Sequence, residues 1–197
     1  MNTPTIETHP LEPYIPKNAR ILMLGTFPPK PERWSMHFFY PNKINDMWRI
    51  MGTLFYNDKN RFWNEDEKKF ILDDIKAFLD SIGLALYDTA KRVRRLKDNA
   101  SDKFLEIVEP TDVKQMLKDN PTITAIVTAG EKATETICTS LQIPNVPKVN
   151  TFVTIPNTYN KKGKQLILYR LPSSSRAYPL AFEKKVEAYR CMFEMLM

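Results

Sequence analysis

Four apolar runs constrain this chain more than any other feature: Arg20-Ile-Leu-Met-Leu24, Leu84-Ala-Leu-Tyr87, Ile123-Thr-Ala-Ile-Val-Thr128 and Gln165-Leu-Ile-Leu-Tyr169. Each has strand length, and none alternates apolar with polar residues. Each therefore reads as a strand covered on both faces, the mark of a parallel sheet. The segments between them have helical spacing. Asn45 to Phe55 sets Met47, Trp48, Ile50, Met51 and Leu54 on one side. Glu65 to Leu79 does the same with Phe70, Ile71, Ile75, Phe78 and Leu79, and Gly83 follows its end. Thr111 reads as the N-cap of a short helix ending near Asn120. Gly130 turns into a helix over Glu131 to Leu141, and a last helix runs from about Leu180 to Met197. Val146 to Tyr159 holds turn residues and room for a short edge strand. Alternating strands and helices predict an α/β fold with helices on both faces of a parallel sheet.

The chain of 197 residues suits a single domain, 1–197, with a proline-containing extended arm over residues 1–19. Hydrophobic residues make up 43% and charged residues 26%, which excludes disordered and fibrous classes. No apolar run approaches the ~18 residues of a membrane span. The N-terminus lacks a basic segment followed by an apolar core, so no secretory leader and a cytoplasmic location are expected. Cys138 and Cys191 fall in helical stretches and are expected to be buried thiols. His9 and His37 are the only histidines, so no metal centre, no other cofactor and no Ser-His-Asp triad are expected. The net charge of +6 permits a polyanionic partner without requiring one.

In a parallel sheet covered by helices, ligands bind beyond the carboxyl ends of the strands. The informative loops are then Gly25 to Pro41, Tyr87 to Asp102, Ala129 to Lys132 and Pro172 to Ala177. LGTFPPK, Leu24 to Lys30, carries a glycine that admits close approach and two prolines that fix the path; it reads equally as a rigid strand exit. Trp34 to Trp48 concentrates aromatics beside Lys and Asn, as base stacking requires, or as a hydrophobic hinge would. Asn45 is a candidate functional amide or an N-cap. Lys91 to Asp102 holds five cations within seven residues, a phosphate track or a solvated face. Pro172 to Pro179 joins hydroxyls, backbone N–H groups and Arg176 ahead of the last helix, an arrangement suited to anions.

The order of these motifs resembles the uracil-DNA glycosylase superfamily. An LG-x-x-P loop follows the first strand, Asn-x-x-Trp opens a helix, and Leu-Pro-Ser-x-Ser precedes the last helix. The nearest branches are the mismatch-specific uracil glycosylases, similar also over Phe182 to Arg190, and the hypoxanthine-DNA glycosylases. The latter are similar over Ala85-Leu-Tyr-Asp-Thr89 with Ser101-Asp102. The resemblance implies a three-layer α/β/α sandwich around a four-stranded parallel sheet. It also implies a metal-free monomer that flips a deaminated base from DNA and hydrolyses its bond to the sugar.

Carried onto this chain, the family motifs make Asn45 the catalytic residue that orients water. Gly25, Thr26, Phe27, Phe39, Tyr40 and Gly130 surround the base. The resemblance gives Ser173, Ser174, Ser175 and Arg176 as expected DNA contacts, and the basic run on the same rim adds Arg92, Arg94 and Arg95. Phe27 stands where most branches have Asp or Asn, and Ala129-Gly130 stands where the hypoxanthine branch has Asn-Gly. The last loop has no histidine. If Asn45 is only a cap, Thr26 and Asp88 are the next candidates. The rival expectation is a family member that binds damaged DNA or a nucleotide without cleavage; an unrelated nucleotide-handling protein is a third.

Overall fold

The computed structural model describes residues 5–97, 102–159 and 165–197. Its central sheet has five strands: β2 (Ile21–Gly25), β5 (Leu84–Asp88), β8 (Ala125–Ala129), β9 (Thr151–Pro156) and β10 (Gln165–Leu171). They lie in the order β5-β2-β8-β10-β9. The four expected apolar runs form the parallel core, β5-β2-β8-β10. The expected edge strand is β9, which joins β10 in the antiparallel direction and makes the sheet mixed. All five residues of β2, β5 and β8 are buried. Successive side chains point to opposite faces, so the helices must cover both.

Five helices supply that cover: α1 (Met47–Tyr56), α2 (Leu72–Ile82), α3 (Val113–Asp119), α4 (Glu131–Leu141) and α5 (Phe182–Leu196). Phe55 of α1 ties one group together, meeting Phe78 of α2 and Phe193 of α5 edge-on at 4.9 and 5.1 Å. Helices α3 and α4 contact each other.

Several boundaries differ from expectation. The segment Glu65–Phe70 is not helical. Instead β3 (Trp63–Asn64) pairs with β4 (Lys69–Phe70). Asn64 Oδ1 accepts the N–H groups of Asp66 and Glu67, and Lys68 adopts a φ of 53°, which closes the turn. Helix α2 then starts where Asp73 and Asp74 favour its positive end. The cap of α3 is Asp112, whose carboxylate accepts Gln115 N–H, and not Thr111. Thr111 is buried and donates its hydroxyl to Asp88 O at 2.7 Å. Cys138 is buried as expected, but Cys191 lies on the exposed side of α5.

The largest difference concerns the basic run. Lys91 to Arg95 belongs to β6 (Ala90–Arg95), the middle strand of a small antiparallel sheet with β1 (Ile6–Thr8) and β7 (Leu105–Pro110). Ala90, Val93 and Leu105 form a small apolar cluster beneath Phe27. Arg94 pairs with Glu106 at 2.7 Å and Arg92 with Glu109 at 3.6 Å, so charges that read as a solvated loop are cross-strand pairs. Asp98 to Ser101 lie outside the described residues.

The described part of the N-terminal arm, residues 5–19, runs along two sheets. Its β1 is sewn to β6, and Tyr14 exchanges both backbone hydrogen bonds with Leu86, covering the outer edge of β5.

Candidate active site

The chain leaves β2 for β5 on one side and reaches β8 on the other. The carboxyl ends of β2 and β8 therefore flank a topological switch point. A cleft of about 1230 Å³ opens there. It is lined by Gly25, Thr26, Phe27, Phe39, Tyr40, Asn45, Gly130, Ser173, Ser174, Ser175 and Arg176, together with Asp88, Arg95 and Asp102. Loops far apart in sequence thus meet, because the parallel strands all end on this side.

The floor is built from β2 and β5. Thr89 N–H donates to Gly25 O and Ala90 N–H to Thr26 O, which prolongs the strand pair into the loops. Asp88, the last residue of β5, crosses to the end of β2. A Cβ on residue 25 would stand 2.4 Å from Asp88 Oδ1 and 3.5 Å from the Tyr40 hydroxyl. Glycine is needed at this position for close approach. Thr26 donates to Asp102 Oδ2 at 2.6 Å. Burial, with a further contribution from Asp88, raises the Asp102 pKa against the opposing Thr26 bond and nearby cations. Burial likewise pushes the Tyr40 phenol well above its usual range; its oxygen is buried without a partner among the described residues, and its backbone has a φ of 50°.

A raised carboxyl pKa has a definite consequence for stability. The folded state holds the proton more tightly than the unfolded chain, so stability falls as pH rises through the folded pKa. Asp102→Asn keeps an acceptor for Thr26 and removes this titration. Its melting temperature is expected to exceed that of the wild type near ~pH 7 and to converge with it below ~pH 3, under the unfolded pKa, where the carboxyl is neutral in either state. Equal melting temperatures across that range would show that the Asp102 carboxylate carries no burial penalty.

The roof is held by Trp48, whose buried indole N–H donates to Phe39 O at 3.1 Å. Phe39 is itself almost fully buried, and Tyr40 beside it is only partly exposed. Asn45 Oδ1 accepts Met47 N–H at 2.9 Å, satisfying one N–H in the first turn of α1. The cap position itself is Asp46, which makes no such side-chain bond.

Asp46 instead fixes the serine loop. Its N–H donates to Ser174 O at 3.0 Å, its Oδ1 accepts Arg176 Nε at 3.0 Å, and its Oδ2 accepts Lys185 Nζ at 3.0 Å. Lys185 Nζ also donates to Ser175 O at 2.8 Å. The Ser173 and Ser175 hydroxyls accept the N–H groups of Ser175 and Ala177, while Ser174 is buried. The loop is thus a rigid structure locked to the start of α1. The Lys185 side chain is 1% exposed. A lysine one helical turn from Tyr189 on an apolar face was the available signal for this network.

The cations divide. Arg176 is half-exposed on the rim despite its bond to Asp46. Arg95 lines the cleft, but its guanidinium grips Glu7 through two 3.0 Å bonds and reaches Pro28 O, binding the arm to the proline loop. Arg92 and Arg94 do not line the cleft. Arg33, Lys103, Lys132 and Arg170 do, and the sequence motifs had not singled them out. Among the described residues no group of three His, Cys, Asp or Glu side chains could hold a metal ion, and no helix is long and apolar enough to cross a membrane.

No family model and no curated protein matches the chain. Among solved structures it is similar to the solution NMR structure of a "putative uracil DNA glycosylase" from Methanosarcina acetivorans, with a TM-score of 0.58 and 21% identity. That similarity covers 96% of this chain and 99% of that one. At this identity the likeness is one of fold, and over nearly its whole length the chain shares the α/β fold of that protein.

Proposed function

We propose that the protein is a monofunctional DNA glycosylase that takes a deaminated base, uracil or hypoxanthine, out of DNA and hydrolyses its bond to the sugar. The observation that carries this reading is the meeting of the Gly25–Phe27 loop, the Phe39–Asn45 segment and the Ser173–Arg176 loop around one cleft. At about 1230 Å³ the cleft exceeds the ~300–1,000 Å³ of a small-ligand pocket and has room for a base, its sugar and flanking phosphates. Backbone N–H groups of Gly25 to Phe27 face the leaving base, and Gly130 lets it approach the start of α4. Phe27 and Tyr40, partly exposed, provide stacking surface, with Phe39 behind them. Asn45 orients water against the sugar. Ser173, Ser175 and Arg176 face the phosphates, and Ser174 anchors their loop. Departure of the base leaves an oxocarbenium-like sugar, and fixed dipoles stabilise the separated charges.

One observation favours a binder that does not cleave. The Asn45 amide oxygen already accepts Met47 N–H, and Phe27 cannot polarise water. A panel of duplexes carrying uracil, hypoxanthine, xanthine or a mismatch separates the two readings. Incubation followed by alkali should cut the strand at one or more lesions, and should do so equally after EDTA. Lesion binding with no scission supports the binder, whereas loss of scission restored by a divalent ion overturns the metal-free reading.

DNA as the partner has its own test. Binding should weaken steeply with salt, and Arg176→Gln should lower the slope of log K against log[salt] by about 0.9, the loss of one phosphate contact. Affinity that is flat in salt excludes DNA.

A further inference from the structure

We infer that His9, delivered by the N-terminal arm, is the positioning partner of Asp88, and that Asp88 is the proton acceptor of the hydrolysis. The inference rests on the glycosylase reading above. Asp88 is the one carboxylate at the cleft floor tied to an imidazole: His9 Nε2 lies 2.9 Å from Asp88 Oδ2. Its other oxygen, Oδ1, is the atom pressed over Gly25. The carboxylate is therefore held from behind on Oδ2, with Oδ1 toward the loop that faces the leaving base. A base oriented by a third group is the recurrent arrangement of activated sites, here with the carboxylate in front and the imidazole behind.

The His9 side chain is 1% exposed, in a box of aromatic rings. Tyr87, Phe27 and Phe39 have ring centroids 4.8, 5.3 and 6.2 Å away. Nothing in a core of this kind calls for an imidazole; phenylalanine would fill it. The backbone around the ring is also fixed. His9 N–H donates to Lys91 O at 2.8 Å, and the preceding strand is clamped by Arg95 through Glu7. Nδ1 lies 2.8 Å from Leu11 O and 3.2 Å from Leu11 N. A neutral ring with hydrogen on Nε2 accepts Leu11 N–H, and a doubly protonated ring donates to Leu11 O. In both states Nε2–H donates to Asp88, so the carboxylate keeps its partner whichever state the ring holds.

The step balances without a co-reactant. The bond from C1′ to the base nitrogen breaks, and its electron pair leaves with the base. The water oxygen bonds to C1′, and the water proton passes to Asp88. The base nitrogen then takes a proton from Asp88 or solvent.

Single-turnover base release, lesion-duplex affinity and melting temperature test the pair in the full chain. Asp88→Asn should lower the rate ~10²–10⁴-fold with affinity retained. His9→Phe keeps the aromatic packing and removes both ring nitrogens; it should lower the rate at least ~10-fold, as loss of an orienting partner does. His9→Gly should lose rate comparably and regain part of it with added imidazole. Wild-type release accompanied by an unchanged rate in His9→Phe or Asp88→Asn overturns the inference and leaves the glycosylase reading standing. A loss in His9→Phe with a collapsed melting temperature, and no imidazole rescue of His9→Gly, makes His9 a folding residue and also overturns it. No base release by the wild type from any lesion overturns both readings.

Discussion

Lys185→Met is expected to destabilise the protein by about 3–5 kcal/mol, the usual cost of removing one member of a buried ion pair. Methionine matches the length and apolar stem of lysine, so the loss is chiefly electrostatic. Asp46 would keep the Nε bond from Arg176, but Arg176 is half-exposed and Lys185 is not. Ser175 O would lose one of its two donors and keep only Tyr178 N–H. In a chain of this size, where about 2–4 °C accompanies each kcal/mol, the melting temperature should fall by roughly 6–20 °C. Thermal unfolding checks this directly. The double change Lys185→Met with Asp46→Asn should recover part of the loss, because it no longer strands a charge. A fall below about 1 kcal/mol would mean that water reaches the pair and that it acts as a surface bridge.

Asn45→Ala is expected to lower single-turnover base release by about 10²–10³-fold while leaving lesion affinity intact, the pattern for a dipole that acts mainly in the transition state. Asn45 also holds the first turn of α1 through Met47 N–H, so a stability loss of about 1 kcal/mol should accompany the kinetic one. Asn45→Asp separates the two effects. A carboxylate still accepts Met47 N–H, so stability should return; the rate should return as well if a side-chain oxygen orients water. Wild-type rate in Asn45→Ala on every active lesion would reduce Asn45 to a cap.

The parallel core was legible because continuous apolar runs leave a buried strand few alternatives. The small β1-β6-β7 sheet was not. Its middle strand reads AKRVRR, and the arginines that suggested a loop are neutralised by Glu106, Glu109 and Glu7, which lie far from them in sequence. The β3-β4 hairpin was hidden for a related reason, since an Asx turn at Asn64 and a left-handed Lys68 interrupt a segment with helical spacing. In the cleft, strand ends and turn chemistry pointed to Gly25, Gly130 and the serine loop, the start of an apolar helix pointed to Asn45, and Tyr40 came only from the family resemblance. Burial could not be read there. Phe39 and Ser174 are enclosed, and the Arg95 side chain is 6% exposed. His9 had no signal, because a single histidine in a proline-containing arm gains meaning only when the arm folds back onto Asp88.

If this cleft breaks a glycosidic bond, the freed base can be detected directly. Wild-type protein in excess is mixed with duplex carrying one radiolabelled uracil or hypoxanthine, and the products are chromatographed without alkali. Free base should be released in step with abasic sites from at least one of the two, unaffected by EDTA. Labelled DNA that is retarded by the protein on a gel, yet yields no free base from either lesion, would contradict the glycosylase reading.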